Sequence, residues 1–416
     1  MKIGFFSDTH FGFGEKTERF AETFTQAGNA LRILAEQKAD VIVVPGDIFD
    51  SEIPSQETVF EAIKVFSLAR EFRPTGVSLS SESGGERKRI ACSGIPIIAI
   101  FGNHEFRGKD RKSALQLLEA AGLLSVSHAG KIRASKPGGE NETVFHCLGS
   151  VPDRKAKDVF ALWNPQPERG KTNILVMHQS IAELLPFDDD AMATISFSDL
   201  KKGFDLVVNG HIHWNHRHEE QGLRFLIPGS VVITQMKKLE SEKPKSVFVF
   251  DTKSKELSSF PLSGQRKFFY EKISFENAQP EEIVLKVRES LGKIFSQGFE
   301  QKPLVRLKLC GTLAKGFSSS DVRIENALKG FEGKAIFSID RDFALASFKS
   351  RIEELRRSQR EKKSVSALGL DLLEKNLSET GFDKGTDVRR LFRLLEEGDI
   401  DAAIAAVLRE PERKKH

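Results

Sequence analysis

Residues 1–10 read MKIGFFSDTH, and this opening stretch decides the fold. Its apolar run is of the kind that forms a buried parallel strand, and Asp8 and His10 follow it directly. Ligand sites in open α/β sheets lie beyond the carboxyl ends of the strands, so polar motifs that follow such runs are expected to meet there. Five runs, at 3–6, 41–44, 97–101, 174–176 and 206–208, precede the motifs Asp8-Thr9-His10, Gly46-Asp47, Gly102-Asn103-His104-Glu105, Met177-His178 and Gly210-His211-Ile212-His213.

The residue types in these motifs indicate a metal site. Residues two apart in an extended segment point to the same side, so Asp8 and His10 can reach one cluster together. The candidate ligands are carboxylates, an amide and imidazoles without any thiolate, a mixture that suits Mn(II), Fe(II) or Zn(II). If two ions bind roughly 3.5–4 Å apart, one carboxylate must bridge them, and Asp47 is the best candidate. The predicted ligands are Asp8, His10, Asp47, Asn103, His178, His211 and His213.

His104 has a different predicted role, because it is adjacent to the ligand candidate Asn103 and points elsewhere. An imidazole, with an ordinary pKa of about 6.5, can donate to a phosphate or protonate a leaving oxygen. The histidine of any one motif could equally be a structural residue of a loop or of the core. Five such motifs in order, each at a strand end, favour a metal site instead. The histidines outside the motifs are predicted to be structural or on the surface; they are His128, His146, His216, His218 and His416.

The five motifs resemble those of the calcineurin-like metallophosphoesterase superfamily. Within it, the chain is similar to the Mre-eleven (bacterial SbcD) DNA double-strand-break repair nucleases. This resemblance covers residues 1–250 strongly and the remainder only in architecture. It rests on SDTHFGF at 7–13, GDIFD at 46–50, SALQLL at 113–118, and Pro228-Gly229-Ser230 followed by Thr234.

The resemblance also implies roles for the motif residues. One metal would be held by Asp8, His10, Asp47 and His213, and the second by Asp47, Asn103, His178 and His211. His104 would be the catalytic histidine that binds no metal. The sequence departs from the family pattern twice, since Asp50 stands where many relatives have histidine and Glu105 where many have aspartate.

The implied function is that of a manganese-dependent DNA exonuclease and single-strand endonuclease with two Mn²⁺ per chain. It would process DNA ends in double-strand-break repair, as a homodimer bound to a coiled-coil ABC ATPase of the Rad-fifty type. The superfamily motifs alone would also allow a metallophosphoesterase for another phosphodiester or a phosphoprotein. A scaffold without activity is disfavoured, because every predicted ligand position is intact.

The composition of the chain limits its fold and function less strongly than the motifs do. The 416 residues are enough for two or three domains, and 63 basic against 59 acidic residues give a net charge of only +4. DNA binding would therefore depend on local patches. Cys92, Cys147 and Cys310 show no ligand spacing, and no apolar run reaches the roughly 18 residues of a membrane span. We expect a soluble intracellular protein, cytoplasmic or associated with the nucleoid.

The predicted fold class is α/β, with three regions along the chain. Residues 1–264 are expected to form a two-sheet metallophosphoesterase sandwich flanked by helices, one of them at 17–37. Residues 265–340 would form a small α+β domain, which the resemblance assigns to capping the site and binding DNA. Residues 341–416 would be a helical linker and partner-binding tail. The serine- and glycine-rich stretch 73–94 is predicted to be a surface loop rather than a DNA contact.

Two interpretations stay open in the later regions. In the small domain, strands are predicted at 267–275, 304–310 and 334–339 and helices at 281–296 and 320–328. Arg306 and Lys308 fit a DNA-binding edge as well as the solvated face of a strand. In the tail, 351–363 is too polar for a core. Amphipathic stretches at 368–377, 388–395 and 400–408 fit either a partner groove or helices that fold back on the chain.

Overall fold

A computed structural model describes residues 1–83, 85–105, 112–138, 141–184, 194–220 and 222–344. The predicted partner-binding helices of the tail lie outside these residues. The strands are β1 Lys2–Phe5, β2 Val41–Val44, β3 Ser78–Ser83, β4 Glu86–Ile90, β5 Ile97–Ala99, β6 Ser125–Val126, β7 Gly130–Ser135, β8 Thr143–Leu148, β9 Thr172–Met177, β10 Leu206–Asn209, β11 His216–Glu220, β12 Leu223–Ile227, β13 Ser246–Asp251, β14 Leu257–Pro261, β15 Phe268–Ala278, β16 Leu304–Leu313 and β17 Ile336–Ala344. The helices are α1 Phe20–Glu36, α2 Gln56–Glu71, α3 Ala114–Ala120, α4 Asp153–Trp163, α5 Lys238–Glu242, α6 Pro280–Phe295 and α7 Glu325–Leu328.

Two large sheets hold the five strands that precede the motifs. The six-stranded sheet has the order β14-β13-β1-β2-β5-β6, and β1, β2 and β5 pair in parallel. The eight-stranded sheet has the order β11-β12-β10-β9-β8-β7-β3-β4, and β9 and β10 pair in parallel. The predicted α/β fold with two sheets is therefore confirmed.

Apolar side chains from both sheets form one buried cluster. Phe5 and Ile98 contribute from the six-stranded sheet, and Phe145, Val176 and Val208 from the eight-stranded sheet. A second cluster joins the other face of the six-stranded sheet to α1 and α2. Because strands that are covered on both faces are apolar throughout, β2 reads VIVV with every residue buried.

Helix α1 confirms the helix predicted at 17–37, and Ala27, Leu31 and Leu34 on it are fully buried. It begins three residues later than expected, because Thr17 forms a turn in which its hydroxyl donates to the carbonyl of Gly14 at 2.7 Å. No helix among the described residues is long and apolar enough to cross a membrane.

The prediction of a loop over 73–94 was wrong. Strands β3 and β4 form a hairpin at the edge of the eight-stranded sheet, and β3 pairs antiparallel with β7. Val77 and Leu79 reach the core between the sheets, which anchors the hairpin. Serine has no strong preference for strands, so pairing with β7 decides this structure, and local sequence does not reveal it.

The chain divides into two compact units. Among the described residues, the first comprises 1–270, 299–306 and 333–338, and the second comprises 271–298, 307–332 and 339–344. Strands β15, β16 and β17 form a three-stranded sheet in that order.

Helix α6 belongs to the second unit, and Ile283, Val287 and Leu291 on it are fully buried. The predicted helix over 320–328 is replaced by a 3-10 turn at Ser319–Asp321 and the short α7. The Asp321 carboxylate accepts from the backbone N–H of Ser318 at 2.7 Å, which favours a turn at that point.

Candidate metal centre

The candidate site lies where strands of the two sheets end. Its residues follow β1, β2 and β5 of one sheet and β9 and β10 of the other. Four of them have left-handed backbone conformations, with φ of 50° at Asp8, 45° at His10, 48° at Asp47 and 76° at His211. Residues other than glycine rarely adopt this backbone region, and backbone strain of this kind is concentrated at functional sites.

Glycines allow the motif loops to approach one another. A Cβ atom added to Gly46, where φ is 92°, would lie 2.4 Å from Nδ1 of His178. A Cβ atom on Gly102 would lie 2.0 Å from Oδ1 of Asp47. Both contacts are closer than real Cβ atoms allow, so these two positions require glycine.

One cluster contains Asp8, His10, Asp47 and His213, all buried, with one donor atom of each within 4.8 Å of the others. The Nε2 atoms of His10 and His213 are 3.2 Å apart. Oδ2 of Asp8 is buried without a hydrogen-bond partner, which would be costly in the absence of a cation. Two facing imidazole nitrogens beside such a carboxylate fit a divalent metal ion.

A second cluster contains Asp47, His178 and His211. Nε2 of His178 lies 3.3 Å from Oδ2 of Asp47. The amide oxygen of Asn103 lies 3.1 Å from Nε2 of His178 and 3.0 Å from Nδ1 of His211. Asp47 belongs to both clusters, so all seven residues predicted as ligands come together around it.

The imidazoles are oriented through their second nitrogen atoms. Nδ1 of His178 donates to the carbonyl of Pro45 at 2.7 Å, and Nδ1 of His10 lies 3.0 Å from Oδ1 of Asp50. Nε2 of His211 lies 3.1 Å from Oγ of Ser180. Nδ1 of His213 is hydrogen-bonded to the hydroxyl of Thr234. Sequence reasoning assigned no role to Asp50, Ser180 or Thr234, since only the fold brings them to the histidines.

Burial and neighbouring charges shift the pKa values of Asp47 and His178 in opposite directions. Burial raises the pKa of Asp8 to about 6. Burial would also raise the pKa of Asp47, but the imidazoles of His178 and His10 hold it below its ordinary value. Burial works to lower the pKa of His178, yet the Asp47 carboxylate raises it to about 9. Burial and the neighbouring His178 lower the pKa of His211 to about 4. A cation replaces protons in such a site, so its binding is linked to pH.

His104 is more accessible than the buried ligand candidates His10, His178 and His213, since 38% of its side chain is exposed. Its Nδ1 donates to the carbonyl of Asp50 at 2.9 Å, and its Nε2 lies 4.0 Å from Oδ2 of Asp47. One nitrogen is thus fixed by the protein while the ring remains accessible beside the shared carboxylate.

Glu105 connects two of the motif loops. Its buried carboxylate accepts from the backbone N–H groups of Ile48 at 2.5 Å, Phe49 at 2.9 Å and Gly102 at 2.8 Å. Burial and the nearby Asp47 raise the pKa of this carboxyl to about 7. The side chain therefore joins the loop after β2 to the loop after β5.

A cleft of about 300 Å³ lies beside the second cluster. Asn103, His178 and His211 line it together with Asp153 and Ser180. Oγ of Ser180 donates to the Asp153 carboxylate at 3.1 Å. The cleft gives a substrate access to the second cluster.

The remaining histidines in the described residues lie outside both clusters. Buried His146 faces Oδ1 of Asn173 at 3.1 Å, and His218 stacks on Phe197 with ring centroids 4.4 Å apart. His416 lies outside the described residues. The three cysteines are free, and Cys147 is buried in the core.

The chain belongs to the calcineurin-like phosphoesterase family, whose model matches residues 1–215. This membership implies the use of divalent metal ions, for which the two clusters provide suitable donors.

Comparison with curated relatives indicates which phosphoesterases this chain resembles. The chain is 28% identical over 250 residues to the DNA double-strand break repair protein Mre11 of Archaeoglobus fulgidus, covering 56% of this chain and 50% of that protein. It is 28% identical over 321 residues to the double-strand break repair protein MRE11 of Homo sapiens, covering 67% and 43%. It is 26% identical over 246 residues to Mre11 of Methanopyrus kandleri, covering 55% and 48%. The chain thus spans about half the length of these relatives, and the predicted resemblance to the Mre11/SbcD family is confirmed.

Proposed function

We propose that this chain is a manganese-dependent DNA nuclease, with exonuclease and single-strand endonuclease activity, that processes ends in double-strand-break repair. The observation that carries this proposal is the pair of donor clusters that share Asp47, with the exposed ring of His104 beside them. Paired metal sites with a bridging carboxylate are typical of enzymes that cleave phosphate esters.

In this proposal, Asp8, His10, Asp47 and His213 hold one ion, and Asp47, Asn103, His178 and His211 hold the other. Two bound cations would supply Lewis acidity to an attacking water and to the phosphate. The donors include imidazole nitrogens, which suit Mn²⁺ better than Mg²⁺ because Mg²⁺ prefers oxygen ligands and retained water.

His104 is assigned to the leaving group. Its Nδ1 faces a carbonyl oxygen, which only accepts, so Nε2 carries a proton only when the ring is an imidazolium. That proton can pass to the leaving oxygen or hydrogen-bond to the phosphate.

DNA is the proposed substrate because the relatives are named as double-strand break repair proteins. Cleavage of end-labelled DNA should require added Mn²⁺, proceed far more slowly in Mg²⁺ and stop in chelator. Equal rates in the two metals would contradict the site assignment.

The alternative is a metallophosphoesterase for another phosphodiester or a phosphoprotein, which the family membership allows. Cleavage of small phosphate esters distinguishes a nuclease from this alternative. A nuclease should cleave bis-p-nitrophenyl phosphate, a diester, in preference to the monoester p-nitrophenyl phosphate. A preference for the monoester, together with no cleavage of DNA, would favour the alternative.

We further propose a homodimer that forms through α2 and α3. Phe60 on α2 and Leu117 on α3 are 59% and 53% exposed, and apolar side chains exposed on neighbouring elements can form the kind of patch that marks a protein interface. The two helices are neighbours, because the Arg70 guanidinium donates to the carbonyl of Ala121 at 2.7 Å. Phe60→Glu should convert the dimer to a monomer in analytical ultracentrifugation. The exposed Leu162→Glu on α4 is the control that should leave the dimer intact.

The region 341–416 is proposed to bind a coiled-coil ABC ATPase of the Rad-fifty type, and 265–340 to cap the site and contact DNA. Deleting 345–416 should abolish capture of the ATPase while Mn²⁺-dependent cleavage of simple DNA persists, since every proposed ligand precedes residue 214. Capture at full affinity after the deletion would favour helices that fold back. An intracellular location, in the cytoplasm or at the nucleoid, follows from this proposed role.

A further inference from the structure

A buried ion pair lies directly behind His213. The ammonium group of Lys245 donates to Glu240 at 2.7 Å, to the carbonyl of His213 at 2.7 Å and to Oγ of Ser230 at 3.0 Å. Lys245 and Glu240 are each only 3% exposed. All three ammonium protons therefore have protein partners, and one of them reaches the backbone of a candidate ligand.

The Glu240 carboxylate holds the segment that follows Ser230. It accepts from the backbone N–H groups of Thr234 at 3.4 Å, Gln235 at 3.1 Å and Lys237 at 3.4 Å. These contacts fix the backbone that carries the Thr234 side chain.

The same network reaches His213 at two points. The Thr234 hydroxyl is bonded to Nδ1 of its ring, and Lys245 and the backbone N–H of Ser230 both donate to its carbonyl, the latter at 3.1 Å. If Nδ1–H donates to the hydroxyl, Nε2 keeps its lone pair, and this atom faces Nε2 of His10 at 3.2 Å.

A buried ion pair is seldom a net source of stability, since apolar residues of the same volume often serve as well. The position of this pair suggests another reason for its presence. The pair contacts the His213 carbonyl directly, and it holds the backbone of the segment that carries Thr234, the residue that orients the His213 ring.

We propose that Glu240, Lys245 and Thr234 are positioning residues that set the affinity of one metal position, the one that His213 shares with Asp8, His10 and Asp47. The inference rests on the proposed function, in which His213 is a metal ligand. Within the part of the chain that the structure describes, no hydrogen bond of this network reaches His178 or His211 of the second position, so we expect the effect on one of the two ions.

Thr234→Val is the sharpest test, because it removes the hydroxyl and keeps the shape of the side chain. Mn²⁺ titrations of the full chain, followed by calorimetry and electron paramagnetic resonance, should show one ion bound about 10- to 100-fold more weakly and the other unchanged. Thr234→Ser restores the hydroxyl and should restore the affinity. Excess Mn²⁺ should recover the cleavage rate of the valine variant.

The ion pair is tested by the double substitution Glu240→Gln with Lys245→Met, which leaves no uncompensated charge in the interior. It should weaken the same ion. Arg133→Met with Glu168→Gln is the matched control, because it likewise removes both charges of an ion pair, 2.7 Å apart, and neither residue belongs to the candidate site. It should leave both Mn²⁺ affinities unchanged.

The outcomes separate this inference from the proposed function. Tight binding of two Mn²⁺ by the unaltered chain without cleavage of DNA would refute the function and leave the inference standing if Thr234→Val still weakens one ion. An active nuclease in which Thr234→Val and the double variant bind both ions normally would refute the inference alone. Equal weakening of both ions would also refute it.

Discussion

Gly102→Ala tests whether the close approach of the motif loops creates the site. The added Cβ atom would lie 2.0 Å from Oδ1 and 2.3 Å from the backbone nitrogen of Asp47. The carboxylate can rotate away but the backbone nitrogen cannot, and ordinary contact begins at 3.4 Å, so 3.4 minus 2.3 gives a displacement of 1.1 Å that the two loops must share. Asp47 belongs to both clusters, and the displacement therefore affects both.

The expected effects follow from that displacement. A shift of about 1 Å at a reacting centre can cost roughly 10²-fold in rate, so we expect cleavage to fall at least that far. Overpacking of this kind also destabilises by about 1–3 kcal/mol. Phosphodiester cleavage with saturating Mn²⁺ and urea unfolding of the chelated protein measure the two effects separately.

Gly292→Ala is the matched control. Gly292 lies inside α6, and a Cβ atom there would meet nothing within 4 Å. Alanine in a helix interior is favoured over glycine by about 0.5–1 kcal/mol, so the control should become slightly more stable with unchanged activity. A Gly102→Ala variant that binds two metals and cleaves at the rate of the unaltered chain would refute the reasoning from loop approach.

Three further predictions concern other parts of the first unit. His104→Ser should abolish cleavage while metal analysis still finds two ions per chain, whereas Asp47→Ala should lose metal as well, because its carboxylate serves both clusters. Chelation should lower the free energy of unfolding by about 2.7 kcal/mol for each ion that had been present at 100 times its dissociation constant, seen as a lower melting temperature in calorimetry. Burial lowers the pKa of His146 below 6.5 in the folded chain. As the pH falls below that value, the unfolded chain takes up the proton first, so the free energy of unfolding should decrease. His146→Gln should reduce this acid dependence in urea titrations compared between about pH 7.5 and about pH 5.

The motif strands could be predicted from sequence because each is buried on both faces. An apolar run such as VIVV in β2 has few alternatives, and the polar residues that follow it stand out. The orienting partners could not be predicted. Asp50 lies 40 positions from His10 in the chain, and Ser180 lies 31 positions from His211, so only the folded backbone defines these pairs.

The two wrong predictions have a common physical cause. The hairpin of β3 and β4 and the turn at Ser319–Asp321 both depend on hydrogen bonds that residue preferences do not reveal. In the first case β7 supplies the partners, and in the second the Asp321 carboxylate does. Local preference is a weak guide where tertiary pairing or side-chain capping satisfies the backbone.

The division of the site between two sheets links its chemistry to the core of the sandwich. Asp8, Asp47 and Asn103 follow strands of the six-stranded sheet, while His178 and His211 follow strands of the eight-stranded sheet. The 3.3 Å approach of His178 to Asp47 therefore spans the two sheets. Apolar side chains from both sheets form the shared core beneath it, and closely packed interiors do not deform smoothly. A substitution in that core which changes the spacing of the sheets should therefore alter the metal site, even though the substituted residue touches no ligand.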